Sequence, residues 1–394
     1  MDLHLQLLVC FFLLTIKSIA TQTTHFHTPL LLLPVTKDFK TLQYTTQLLI
    51  GTPQIPTDLV LHLSGQSLWI NCAPSSSSRH LITHGSLSCL MAKSVAQTTI
   101  PATICHIHQQ NPITGATNSG DLAEDIVTFH GIGSVATVDN FLFSCSPDYL
   151  LKGLANGAKG MLGLGRSKIA FQSQLVNNLD IPRKFTVCLS ESDGFIISGT
   201  GISNSLSYTP LVSSMTHGGG LDQYYVNVNS IKISGRRLVL HDGGQPIGGV
   251  QISSIVPYTT MKSTIYGIFT KAYIKSAISM NMTMVAPVAP FGVCFVSQRL
   301  VPEIELVLQS ELVKWRIQGR NSMVQVSDSV MCLGFLDGGL DVSDSVVLGG
   351  YQLEDHILEF NLGTGMMGFS SSLLMEGNSC SKIRALVSRP KDSL

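Results

Sequence analysis

"LVLHLSGQSLWINC", residues 59–72, runs as an apolar strand into a turn and out again past Trp69. His62 stands just before the turn, inside a run that is otherwise apolar, so the imidazole needs either a chemical or a packing reason. Short runs of the same kind recur along the chain: "YTTQLLIGTP" (44–53), "DIVTFHGI" (125–132), "YYVNVNSIKI" (224–233) and "SVVLGG" (345–350). Each is β-branched or alternating and is bounded by Gly, Pro, Asn or Asp. Helical periodicity is confined to 170–179 and 270–281. Short strands with frequent turns predict an all-β chain of sandwiches or barrels rather than a doubly wound sheet.

The opening stretch also repeats. "LVLHLSGQSLW" has a counterpart in "VQISSIVPYTTM" (250–261), and "AKGMLGLGRSKIAFQSQL" (158–175) has one in "VVLGGYQLEDHILEF" (346–360). Each half therefore offers a strand and turn, followed much later by an apolar element ending in glycine. The join is expected within "SGTGISNSLSYTP" (198–210), rich in small and turn-forming residues. This divides the mature chain into a lobe at 21–200 and a second at 201–394.

With 394 residues the chain is too long for one ordinary core. Twenty-five basic residues balance 25 acidic ones and charged residues make up 13 %, which argues against nucleic acid or an anionic membrane as partner. Residues 1–20 read as a signal peptide: a short apolar run from Leu7 to Ile16 precedes the small-x-small pattern Ser18-Ile19-Ala20. Of nine cysteines, Cys10 would leave with that segment. The remaining eight, widely spaced and without Cys-x-x-Cys, read as disulfides in an oxidising compartment. "CHIH" (105–108) raises zinc as an alternative, but its spacing is not that of a ligand set, and neither metal nor cofactor is expected. Asn281-Met282-Thr283 is a glycosylation sequon. The last dozen residues are expected to lack fixed structure.

Taken in order, "YTTQLLIGTPQIPTDLVLHLSGQSLWI", "GDLAEDIVTF", "GMLGLGR" and "VVLGGYQLEDHILEFNLGTGMMGFS" resemble the pepsin-like aspartic proteases over nearly the whole mature chain. The strings "FSC" (143–145), "KFTVCLS", "VAPFGVCF", "IELVLQSELVKW" and "YQLEDHILEF" are similar to a plant extracellular subgroup. That subgroup holds extracellular dermal glycoprotein, basic 7S globulin, and inhibitors of xylanases and xyloglucan endoglucanases. The resemblance implies a bilobal pepsin-like fold, two β-barrel-like lobes with few short helices. It also implies disulfides Cys72–Cys145, Cys89–Cys105, Cys188–Cys380 and Cys294–Cys332, and a secreted protein of the extracellular space or cell wall.

The enzymes of this fold need two adjacent carboxylates that share a proton, one supplied by each lobe. In the matching turns this chain has His62-Leu63-Ser64 and Ser253-Ser254-Ile255. Imidazole can act as a base, but a serine hydroxyl cannot supply the shared proton. Asp58 lies four residues upstream, roughly 13 Å along a strand, and cannot substitute. Ser64 and Ile255 replace turn glycines, and "QQNPITGATNSG" has no clear counterpart of the flap tyrosine. His62 is expected to be a neutral side chain between the lobes rather than a metal ligand or an altered base. The sequence has no Gly-x-Ser-x-Gly elbow, His-Glu-x-x-His motif or phosphate loop. The catalytic set is therefore expected to be empty.

The subgroup resemblance implies a noncatalytic inhibitor or binder of cell-wall-degrading glycoside hydrolases, of the xyloglucan endoglucanase or xylanase type. A cationic loop residue would pair with the carboxylates of the target's groove, and Arg299 in "SQRLVPEIELVLQ" is the partner-binding candidate. A second cation expected before the last cysteine is absent near Gly377, in "LLMEGNSC". The alternatives are an aspartic endopeptidase with a degenerate site and a storage or peptide-binding globulin like basic 7S globulin.

Overall fold

The computed structural model describes residues 31–93, 103–130, 135–199, 205–213, 223–239 and 247–388. The signal peptide expected at 1–20 and the lobe boundary placed at 200/201 lie outside these residues. The described chain is dominated by strands. Its first four are β1 (Leu31–Lys37), β2 (Tyr44–Ile50), β3 (Ile55–His62) and β4 (Trp69–Asn71).

The internal repeat has a structural meaning. β3 lies parallel to Gly160–Gly163, with His62 opposite Gly163. In the second lobe Gly248–Ile252 lies parallel to Val346–Leu348, with Ile252 opposite Leu348. Each strand-turn element is thus clamped by the apolar-glycine element that follows it in sequence. Glycine is needed at these meetings: a Cβ on Gly163 would come within 2.5 Å of the Gly65 and Ser67 carbonyl oxygens. A Cβ on Gly65 would come within 2.7 Å of the Gly163 Cα. The close approach expected of a glycine at position 64 is supplied one residue later.

A six-stranded antiparallel layer joins the lobes. β1 pairs with Asp193–Ser198, which pairs with Lys184–Cys188, then Ile357–Asn361, Met366–Phe369 and Ser207–Val212. Phe185 and Phe360 stack across it with centroids 4.9 Å apart. Separate aromatic clusters fill the lobes: Phe129, Phe141 and Phe171 in the first, Phe269, Tyr273 and Phe335 in the second.

Helix positions depart from the sequence expectation. Phe171–Leu179 forms as expected, but the second helix runs Ser263–Ser279, starting well before 270. Its N-cap, Lys262, makes no side-chain capping bond and its first turn holds no acid, so no local signal marks the start. The spacing of buried Phe269, Tyr273 and Ala277 sets its inward face. The C-terminus also departs: Cys380–Val387 is a helix capped by Ser379, whose hydroxyl accepts from the Lys382 N–H. Residues 383–387 are therefore ordered, while 389–394 lie outside the described residues.

Four disulfides are formed: Cys72–Cys145, Cys89–Cys105, Cys188–Cys380 and Cys294–Cys332. They are the pairs implied by the resemblance, and the "CHIH" cysteine is taken up in the second of them. No described helix is long and apolar enough to cross a membrane.

Candidate functional site

Two places hold the residues singled out by sequence. The first is where the two repeated turns meet. Ser254 Oγ donates to the Leu61 carbonyl at 2.7 Å and accepts from the Leu63 N–H at 3.1 Å, tying the second lobe's turn to the end of β3. Ser253, 8 % exposed, turns inward on its own loop and accepts from the N–H groups of Ile255 and Val256, both at 3.2 Å. Ser64 Oγ accepts from the Tyr224 N–H at 3.4 Å. Asp58 is exposed and accepts from Gln47 at 2.9 Å, away from this junction.

His62 lines a cavity of about 220 Å³ with Ser64, Gln66, Trp69, Gln109, Gln223 and others. The hairpin formed by His106–Gln110 and Thr117–His130 closes over it, contributing His108, Gln110 and Pro112. Neither a carboxylate nor a tyrosine is among the described residues lining it. Desolvation pushes the His62 imidazole down to about 4, so it is neutral through the range in which a free histidine titrates. A half-buried, neutral imidazole among amides and an indole can donate one hydrogen bond and accept another. Among the described residues it has no anionic neighbour to hold it protonated.

The second place is on the C-terminal lobe. Arg299 is exposed on the loop between Cys294–Val296 and Ile304–Val307, at a cavity of about 500 Å³. The N-terminal lobe supplies Lys37 and Phe39 to the same cavity, and the C-terminal lobe adds Tyr258, Arg320, Met323 and Tyr351. Two of its cations are neutralised. Lys37 pairs with Glu354 at 2.7 Å, both nearly buried, and Arg320 pairs with Glu191. Tyr44 O–H also donates to Glu354, at 2.8 Å. Burial and the Glu354 charge push that phenol well above its usual range. Arg299 forms no hydrogen bond or ion pair with any described residue.

Gly377 follows the 3₁₀ turn Leu373–Glu376 with φ +69°, a conformation that L side chains rarely adopt. A cation introduced there would carry backbone strain, although no atom stands in its way. Asn281 is exposed just beyond the helix Ser263–Ser279.

Sequence reading missed Ser254, Arg320 and the pair Lys37–Glu354. Ser254 was legible in principle, as the hydroxyl between Ser253 and an apolar residue in the repeated turn. The pair was not, because its partners are 317 residues apart.

Comparison with known proteins agrees with this geometry. A family model described as Xylanase inhibitor N-terminal matches residues 44–200, and one described as Xylanase inhibitor C-terminal matches residues 223–371. The chain is 37 % identical over 423 residues to a probable aspartic proteinase, GIP2, of Nicotiana benthamiana, covering 95 % of this chain and 96 % of that one. It is 31 % identical to basic 7S globulin of Glycine max, over 95 % and 96 % of the two chains. Among solved structures it superposes on the crystal structure of edgp with a TM-score of 0.83 at 37 % identity, covering 90 % of this chain and 98 % of that one. For basic 7S globulin from soybean the TM-score is 0.79 at 32 % identity, with the same coverage. The chain belongs to the xylanase inhibitor family, built on the bilobal pepsin-like fold.

Proposed function

We propose that the protein is a secreted, noncatalytic binder and inhibitor of glycoside hydrolases of the xylanase or xyloglucan endoglucanase type, with Arg299 as its anchor. One observation carries the reading: an exposed guanidinium with no partner among the described residues, on a loop of the C-terminal lobe. Leu300 beside it is 75 % exposed, so cation and apolar surface are presented together. A guanidinium that becomes buried against a pair of carboxylates can be a binding hot spot. Glycoside hydrolases carry such a pair in an open groove. A folded hydrolase cannot enter the cleft between the lobes, whereas a projecting loop can enter the hydrolase.

The absence of peptidase chemistry is supported by His62 and Ser253 at the two turns and by a cavity lined without a carboxylate. Secretion is supported by four disulfides, which persist in oxidising compartments. Exposure of Asn281 is compatible with glycosylation there.

The test is titration of a panel of xylanases and xyloglucan endoglucanases with wild type and Arg299→Ala. Tight binding by wild type and weakened binding by the variant are expected. Binding to no member, or equal binding by both proteins, removes Arg299 from the reading. It would then favour a storage globulin, a second reading supported by likeness to basic 7S globulin across nearly the whole chain.

A further inference from the structure

The cavity beneath Arg299 is larger than a guanidinium needs for contact with a protein partner. At about 500 Å³ it falls within the range of roughly 300–1,000 Å³ typical of small-molecule sites. Five charged residues line it: Lys37, Arg299, Arg320, Glu191 and Glu354. The pairs Lys37–Glu354 and Arg320–Glu191 cancel, leaving the Arg299 guanidinium as the uncompensated charge among the described residues. An occupant that completes the balance carries one negative charge.

The walls define the rest of that occupant. Tyr258 and Tyr351 stand side by side with ring centroids 5.5 Å apart at 57°. Met323 and Met331, both buried, and half-buried Val301 also line the cavity. Thioethers are polarisable and adapt to a flat ring, and sulfur–aromatic contacts are favourable. Uncharged polar side chains are few, namely Gln298, Gln325, Tyr258 and Tyr351, and three of them are partly engaged within the fold. Gln298 Nε2 donates to the Leu300 carbonyl, Gln325 Nε2 to Ser297 Oγ and the Ser327 carbonyl, and Tyr351 O–H to the Met323 carbonyl.

We propose that this cavity is a binding site for a small aromatic monocarboxylate. Its ring lies between the tyrosines and the methionines, and its carboxylate meets the Arg299 guanidinium. A planar guanidinium matches a carboxylate with two parallel hydrogen bonds. A rigid aromatic acid gives up little internal freedom on entering. The inference goes beyond the hydrolase reading and does not depend on it, but the two share Arg299. An acid seated in the cavity would compete with a protein that uses the same guanidinium.

The experiment is isothermal titration calorimetry of the full mature protein at pH 7 with trans-cinnamate as probe. Cinnamyl alcohol keeps the body without the charge, and acetate keeps the charge without the body. Saturable one-site binding of cinnamate is expected, with at least about tenfold weaker binding of either control, as loss of a charge-assisted bond or of the apolar contacts implies. Arg299→Gln, at an exposed and unpaired position, should weaken cinnamate about tenfold without affecting folding. Val301→Trp should weaken it by filling the cavity, with circular dichroism checking that the fold is kept. The exposed substitution Arg237→Gln, away from the cavity, should leave it unchanged. No saturable heat, or cinnamate binding that Arg299→Gln leaves intact, overturns the proposal. No hydrolase is present in the cell, so failure here and failure of the hydrolase reading are separate results.

Discussion

The cavities at His62 and Arg299 differ in where their polar groups are engaged. At His62 the hydroxyls serve the fold: Ser254 bridges the lobes and Ser253 closes its own turn. No carboxylate, lysine or arginine is among the described residues lining that cavity. At Arg299 five charges converge, two pairs hold the lobes and the loop ends together, and one guanidinium is left over. The comparison teaches that in this chain the hydroxyls of the turns that meet between the lobes are taken up by the fold, while a cation unpaired among the described residues is left exposed on a loop of the C-terminal lobe.

The largest expected effect lies beneath the outer face. Glu354→Ala leaves Lys37 buried without its partner, and removing one member of a buried pair costs about 3–5 kcal/mol. Ser254→Ala at the cleft unpairs two backbone groups and should cost about 1–3 kcal/mol. Equilibrium unfolding in urea ranks the two. A reversed order would break the comparison.

A second contrast comes from the buried imidazoles. His356 is fully buried against Trp315, with Nδ1 at 3.0 Å from the Glu354 carbonyl, and desolvation pushes it down from 6.5 to about 4. Between those values the unfolded chain binds a proton that the native state refuses, so stability falls as the solution is acidified. The loss from His356 is about 3 kcal/mol, complete near pH 4. His62 has the same sign but a smaller effect, since its ring is only half-buried and partly screened. Urea unfolding at pH 7, 5.5 and 4 for wild type, His356→Gln and His62→Gln should show the pH slope reduced most in the first variant. Equal slopes in all three would remove the imidazoles as its cause.

Smaller in energy is Arg299→Ala, expected to weaken hydrolase binding by about 2 kcal/mol. Stability should stay within about 0.5 kcal/mol of wild type, as for an unpaired surface residue. A large fall in melting temperature would mean that Arg299 belongs to the scaffold after all. The expected effect at the cleft is nil. Wild type, His62→Asp and Ser253→Asp should all lack peptidase activity from about pH 2 to 7, because the two carboxylates act as a unit. Cleavage of a peptide by wild type, blocked by a transition-state mimic of aspartic proteases, would overturn the scaffold reading of the cleft.

Strand-turn elements and their apolar-glycine partners were legible because period-two patterning and glycine punctuation are local signals. The parallel clamp of β3 by Gly160–Gly163 was not, because it joins segments about a hundred residues apart and the repeat marks the two elements without saying that they pair. Local signals also explain the failures. The helix starting at Ser263 has no cap to announce it, whereas the C-terminal helix carried a cap at Ser379 that composition alone obscured. Arg299 was legible as a candidate through its loop string, but its cavity was not. The cavity's walls come from β1, the turn after it, the loop at Glu191 and five separate stretches of the second lobe, brought together only by long-range pairing.

The layer that joins the lobes sets an order on biosynthesis. Lys184–Cys188 finds its neighbour in Ile357–Asn361, and Cys188 finds its disulfide partner 192 residues downstream, at Cys380. A ribosome delivers the chain from its N-terminus at about 5–20 residues per second. One edge of an early-made hairpin therefore waits unpaired for roughly ten seconds or more while the second lobe is synthesised. An unpaired strand edge invites pairing with other chains. Arg384 and Ser381, in the last helix, then fasten to Asp193 and Ser192 of that same hairpin. Loss of the final forty or so residues, which takes Ile357–Asn361 with it, would thus leave an exposed edge in the first lobe, and nascent chains stalled before that point are the ones that most need a chaperone.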